Sequence, residues 1–225
     1  MLTMKFEIPK TQIELQLIHQ LENFFFVTDD EKQSISKYIE SAFAACEENF
    51  SFSPNKYFWV EMGGARIAKF DPYHSVQYMI FLYYLSNEIY KKRDAGKLCD
   101  KIYYLNKTMN SVDLFYAVEL PKHFGAEHPL GSVMGRAQYG DNLYFYQNCT
   151  IGGTIKDGRE VYPVLSDNVQ LCSYSAILGD CHIGNNVIIG SGTIIKNQDV
   201  PDNSIVFGSS PNLIIKPNRH HSLVI

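Results

Sequence analysis

The sequence predicts an α+β chain in which a helical first half is followed by a solenoid of short strands. Three features predict it. Up to about residue 112, apolar residues recur at three- and four-residue spacing, the period of a helix with one buried face. From residue 165 an aliphatic side chain returns every six positions. Between Ile151 and Leu165 the six-residue frame is interrupted once, by a polar and turn-rich stretch.

In the first half, TQIELQLIHQLENFFF and DDEKQSISKYIESAFAACEENF carry the helical pattern, and Thr28-Asp29-Asp30 supplies capping oxygens and acidic residues to the second. Pro54, Gly63, Gly64 and Pro72 then break the pattern over FSPNKYFWVEMGGARIAKFDPYHS. Two further helices are expected at SVQYMIFLYYLSNEIYKKRD and GKLCDKIYYLNKTM, separated by Gly96, with Tyr, Leu and Ile stripes that read as core or subunit contact. Residues 1–112 are therefore expected to form an α-helical domain, and 113–225 a second domain with a C-terminal tail.

In the second half the frame runs Leu165, Leu171, Ile177, Ile183, Ile189, Ile195, and four residues after each come Val169, Ser175, Cys181, Val187, Thr193 and Asp199. A period of six is neither 3.6 nor 2. It fits short strands alternating with fixed turns, stacked so that neighbouring coils bury each other's aliphatic face. Gly184 and Gly190 read as turn positions that need a residue without Cβ. An earlier run from Tyr139 through Phe145 to Ile151 keeps the same period, but Ile151 to Leu165 is fourteen residues. The excess falls in KDGREVYP, which is expected to be a loop leaving the solenoid.

Composition narrows the function classes. The net charge of −4 offers no electrostatic footprint for nucleic acid or an anionic membrane surface. No stretch approaches eighteen apolar residues, so no membrane span is expected. The N-terminus lacks a basic segment followed by an apolar run, so no signal peptide is read there. Five cysteines without a CxxC pair suggest buried, reduced thiols in a cytoplasmic protein.

Residues 70–212, and most closely 111–155, resemble the left-handed β-helix hexapeptide acyltransferases, and among them the serine acetyltransferases. The residues that carry the likeness are Val112-Asp113, then Glu127-His128 fifteen residues after Asp113, then FYQNCTIGGT and GREVYP. The resemblance implies a left-handed parallel β-helix over 113–225 and acetyl transfer from acetyl-coenzyme A to a hydroxyl, without an acyl-enzyme. It implies His128 as general base, with a carboxylate to fix its tautomer. Asp113 is the implied orienting acid and Glu119 the alternative, while Glu127 stands where relatives contact the acceptor. Coenzyme A is expected along Gly152, Gly153, Thr154, Ser173 and Ser191, with Lys196 near a phosphate. No metal is expected.

The loop departs from the serine acetyltransferase pattern. Its Arg-His pair, which holds the acceptor's carboxylate in those enzymes, corresponds here to Val161 and Tyr162. Tyr162, Arg159 and Gln147 are thus the acceptor-side candidates, and Tyr162, Tyr146 and Tyr139 would suit a sugar ring. The leading expectation is O-acetylation of a sugar of a capsular or other surface polysaccharide, or its precursor, since EHPLGSV looks like that branch. The alternative is a serine O-acetyltransferase, to which the terminal Ile225 would add docking to a sulfhydrylase. A catalytically silent scaffold is a further reading, as is a metal hydratase using His123, His128 and His182. His123 and His182 otherwise read as structural or surface residues, and His74, His220 and His221 have no partner pattern. The family implies a homotrimer or a dimer of trimers.

Overall fold

Two helices of the first half, the second and the third, begin at a side-chain oxygen or ring nitrogen that the sequence supplies. The computed structural model describes residues 4–93 and 96–219, in two units that divide after Asn110. In the first unit, α1 (Lys10–Phe24) buries Ile13, Leu17 and Leu21, one residue per turn. Thr28 caps α2 (Asp29–Phe52), with Glu31 closing the capping box. His74 caps α3 (Ser75–Lys91) by accepting a hydrogen bond on Nδ1 from the Gln77 amide, 3.4 Å away. Burial lowers the pKa of His74, which favours the neutral ring that this acceptor role requires. In α3 every residue from Val76 to Asn87 is buried, so it is the central helix of its unit and its aromatic stripe is core. The fourth helix, α4 (Leu98–Asn110), buries Leu98, Cys99, Ile102 and Leu105.

The segment read as a break in the helices is a β-hairpin. Strands Trp59–Met62 and Ala65–Phe70 pair antiparallel, with Lys5–Phe6 alongside the second in parallel. Gly63 and Gly64 form its turn at φ 57° and 79°. Positive φ at both central residues matches the twist of paired strands, and the Gly-Gly step was the signal for it.

The second unit is a parallel β-helix with three faces. Strands Gln138–Tyr139, Val164–Leu165 and His182–Ile183 make the first. Phe124–Ala126, Leu143–Phe145, Val169–Leu171, Val187–Ile189 and Ser204–Ser209 make the second. Val133–Met134, Thr150–Gly152, Ala176–Leu178 and Ile194–Lys196 make the third. In the regular coil Val164 pairs with His182, Val169 with Val187 and Ala176 with Ile194, an advance of eighteen residues or three repeats of six. The six aliphatics from Leu165 to Ile195 are at most 3% exposed and stack in columns along the axis. Strand Asn212–Pro217 folds back antiparallel on Ser204–Ser209.

Three sequence expectations change. Asp199 is exposed and accepts from the His182 amide at 2.7 Å, because the last coil is one residue short and Val200 takes the inward place beside Ile183. Gly184 and Gly190 are not left-handed turn residues. A Cβ on Gly184 would lie 2.5 Å from the Asp202 amide nitrogen and one on Gly190 2.5 Å from the Phe207 ring, so close stacking of the next coil demands them. The inserted segment is a hairpin rather than a plain loop: Thr154–Lys156 pairs with Arg159–Val161. Asp157 and Gly158 turn it at φ 51° and 74°.

The turn residues are instead asparagines. Asn142, Asn168, Asn186 and Asn203 occupy one corner in successive coils at φ 62°, 59°, 56° and 52°. Asn142 donates to the Asn168 side chain at 2.7 Å and Asn186 to that of Asn203 at 2.9 Å. Asp141, next to this ladder, takes the His123 ring nitrogen Nδ1 at 2.6 Å and the His123 amide at 3.0 Å. Burial opposes the charge on Asp141, yet these bonds and one from the Asn142 amide hold its carboxyl below the ordinary 3.8. All five cysteines are free. Burial raises the thiol pKa of Cys46, Cys172 and Cys181, and pushes that of Cys99 up to about 12.

Two predictions follow from the corner. Asn168→Ala loses both the left-handed preference and the amide partner, and is expected to cost about 1–3 kcal/mol in urea unfolding. Asn168→Gly keeps the backbone freedom and is expected to cost less; equal losses would mean that backbone conformation is not the constraint. For Asp141 the folded pKa lies below the unfolded one, so its stabilisation is present above the unfolded value and disappears as pH falls through the folded one. The stability gap between the parent chain and Asp141→Asn is expected to be open at about pH 6 and to narrow below about pH 4. A gap that is unchanged at about pH 3 would show that the carboxylate charge contributes nothing.

Candidate functional site

A longer corner displays His128. Between the second and third faces four residues suffice to turn Phe145 into Thr150, whereas Ala126 to Val133 takes six. Two extra residues therefore bulge outward at Glu127-His128-Pro129. His128 sits there at φ 50°, a region histidine enters more readily than most residues. Its side chain is exposed, and among the described residues its ring takes no hydrogen bond or ion pair. Glu127 beside it hydrogen-bonds the Tyr146 hydroxyl. Burial first, and then the Glu127 carboxylate, raise the pKa of that phenol.

The same corner continues through Gln147, Ser173 and Ser191 in the next coils. Backbone bonds run from Tyr174 N to Gln147 O at 2.9 Å and from Gly192 N to Ser173 O at 3.0 Å. Ser173 and Ser191 bring their hydroxyls within 3.3 Å. Tyr174 holds a left-handed φ of 63° on this corner, with its side chain exposed. Glu127, His128, Gln147, Ser173 and Ser191 thus stand along one edge of the third face. Asp113 lies on that face as well, bridged to Val133 with its amide on the Ser132 carbonyl at 2.8 Å. It makes no bond to His128. Glu119 is exposed and likewise makes none.

The opposite edge of the third face carries a cavity of about 400 Å³. Its floor is Val133, Thr150, Ile151, Gly152 and Leu178, and the inserted hairpin walls it with Thr154, Ile155, Glu160 and Tyr162. Gly152 faces open space, with no atom within 4 Å of where a Cβ would stand, so a ligand can approach its backbone. Gly153 is needed for another reason: a Cβ there would lie 2.6 Å from the Tyr162 ring that packs against it. Thr154 bonds weakly to Asn197 at 3.5 Å, and Lys156 ties the hairpin to Asp180 at 2.7 Å. Lys196 is exposed in the same register column as Gly152, two strands away through Leu178, or about 10 Å.

Arg159 does not line this cavity; it is exposed in the outer strand of the hairpin, paired in register with Lys156. The cavity's arginine is Arg136, which the sequence reading missed. Its guanidinium donates to the Tyr162 hydroxyl, which in turn donates to Glu160. The tyrosine first and Glu160 second favour its charged form. The signal was the register: Met134 pairs with Ile151, seventeen residues on, which sets Gly135-Arg136 beside Gly152-Gly153. Tyr139 ties its hydroxyl to the Gly135 carbonyl at 2.6 Å and does not line the cavity. Lys216 places its ammonium 5.7 Å from the Phe207 ring centroid. His123, His128 and His182 lie on different edges, and no cluster of three or more metal-ligating side chains occurs among the described residues. His220, His221 and Ile225 lie outside those residues.

Comparison with known proteins bears on this arrangement. The pattern described as "Bacterial transferase hexapeptide (six repeats)" matches residues 162–197. The chain is 30% identical over 144 residues to the serine acetyltransferase of Staphylococcus aureus strain Mu50, covering 64% of each chain. A serine acetyltransferase solved in complex with cysteine superposes with a TM-score of 0.69 at 16% identity, over 95% of this chain and 82% of that one. Another, solved in complex with CoA, gives a TM-score of 0.60 at 16% identity, over 82% and 75%. At these identities the structural likeness is one of fold. The chain spans about half to two thirds of the length of the curated relatives it matches, from 46% to 65%.

Proposed function

We propose that the chain is an acetyl-coenzyme A-dependent O-acetyltransferase whose acceptor is the hydroxyl of L-serine or a close analogue. The observation that carries this reading is the 30% identity over 144 residues to a serine acetyltransferase, on the same kind of fold. It favours serine over the polysaccharide acceptor that the altered loop suggested. In this reading His128 takes the hydroxyl proton. The acceptor oxygen attacks the thioester carbonyl, the carbon–sulfur bond breaks, and the thiolate leaves with the proton returned by the imidazolium. The exposed ring of His128 is open to such a substrate. Coenzyme A fits the bare backbone of Gly152 and the edge that ends in Lys196, with Ser173 and Ser191 on the other side of the face.

The proposed orienting acid, Asp113 or Glu119, does not reach His128 within one chain. A homotrimer with each site completed between adjacent β-helices would supply it, and the helical unit would join trimers into a larger assembly. Free cysteines fit a reducing, cytoplasmic setting, and no described helix is long and apolar enough to cross a membrane. A second reading, a sugar acceptor, is favoured by one feature: the Tyr162 ring lines the cavity, with the aliphatic Val161 before it.

The test follows release of free thiol from acetyl-coenzyme A with L-serine and with a panel of oligosaccharides and nucleotide sugars. Saturable turnover on serine is expected, and His128→Ala is expected to lower it by roughly 10²–10⁴-fold with the fold intact by circular dichroism. Turnover on sugars alone would transfer the assignment to the second reading. Turnover on neither, without coenzyme A binding, would leave a scaffold.

A further inference from the structure

We infer that Arg136 and Glu160 form a mixed-charge clamp that selects an acceptor bearing both a carboxylate and an ammonium group, Arg136 taking the carboxylate and Glu160 the ammonium. This rests on the acceptor reading above, with the base supplied by His128 of the adjacent chain in the proposed homotrimer, since the cavity and this chain's own His128 lie on opposite edges of the third face.

Apart from its two charged residues and Tyr162, the cavity is lined by Val133, Ile151 and Leu178, by glycine backbone and by the neutral hydroxyls of Thr150 and Thr154, which carry no charge to match a zwitterion. Arg136 and Glu160 are the cavity's two charges, one of each sign. Tyr162 bridges them, accepting from the guanidinium and donating to the carboxylate. Its ring is fixed against Gly153, where no side chain could stand. The phenol thus stands between the two charges. A guanidinium has five donors, so one bond to a phenol leaves a fork for a carboxylate.

A phosphate chain is a poorer match, because Glu160 would stand against its negative charge. A neutral sugar would leave both charges without counterparts. An α-amino acid presents opposite charges two bonds apart, on a molecule small enough for about 400 Å³. Arg136 comes from the coil before the hairpin and Glu160 from the hairpin itself. The eight-residue insertion is what brings the carboxylate to the cavity.

Three acceptors separate the contributions: L-serine, serinol, which lacks the carboxylate, and 3-hydroxypropionate, which lacks the ammonium. The parent chain is expected to prefer L-serine in kcat/KM over both. Arg136→Gln should cut the preference over serinol by about tenfold or more, and Glu160→Gln the preference over 3-hydroxypropionate. The losses should appear in the KM for serine and not in that for acetyl-coenzyme A. No preference in the parent chain, a preference that survives Arg136→Gln, or a loss confined to the KM for acetyl-coenzyme A would each overturn the clamp. Calorimetric titration of L-serine and serinol without acetyl donor needs no turnover. Arg136-dependent binding of serine over serinol in a chain that transfers no acetyl group would keep the clamp and sink the proposed reaction.

Discussion

Everything in the second unit depends on turning the backbone through a left-handed residue at each corner of an eighteen-residue coil. An L-residue with a Cβ resists that conformation by about 1–2 kcal/mol. Asparagine lowers the resistance and adds an amide that can bond along the axis. Because Asn142 bonds to Asn168 and Asn186 to Asn203 across successive coils, the local cost is offset by contacts that only the assembled coils provide. One coil alone would have strained corners and an exposed aliphatic face. Stacked coils satisfy both at once, which is why short two- and three-residue strands suffice.

The features of the candidate site are departures from that regularity. The corner at Glu127-His128 is two residues longer than its successor, so a histidine stands out from a surface that would otherwise be turn backbone. The coil that contains the hairpin is longer still, advancing twenty-six residues from Leu143 to Val169 in place of eighteen. Its extra eight residues do not disturb the columns, because chain enters and leaves the coil at adjacent places. A rigid solenoid thus tolerates insertions where its faces meet, and those insertions can carry side chains to a face without loosening it.

This division explains what the sequence made legible. The six-residue frame from Leu165 to Ile195 marks one inward column on each face directly, since those positions fill the core with an aliphatic side chain. The frame says little about outward residues, and the cavity is built entirely on an outer surface. Arg136 was invisible because Met134, not Val133, is the inward residue of the first coil, so counting back by sixes from Tyr139 gives the wrong phase. Gly184 and Gly190 were legible as required glycines, but their reason lies in the neighbouring coil, eighteen or so residues away, and not in their own turn. In the first unit the Gly63-Gly64 hairpin was hidden among helices, where a break and a turn look alike.

The two histidines before the first long corner show how far burial separates similar residues. His123 keeps only 13% of its side chain exposed and gives Nδ1 to Asp141, a pairing that fixes the corner where the asparagine ladder begins. It has the carboxylate partner that a base needs, but that carboxylate is committed to holding two backbone amides as well. His128 has the reverse endowment: access to solvent, a left-handed backbone that presents it, and no carboxylate bonded to its ring among the described residues. A side chain that already has its partner stabilises a fold, whereas one held out and unpartnered gains its partner only when something binds. In the proposed reaction a base must meet a hydroxyl arriving from solvent, and the second condition is the one that suits it; the longer corner holds His128 there at a left-handed φ of 50°.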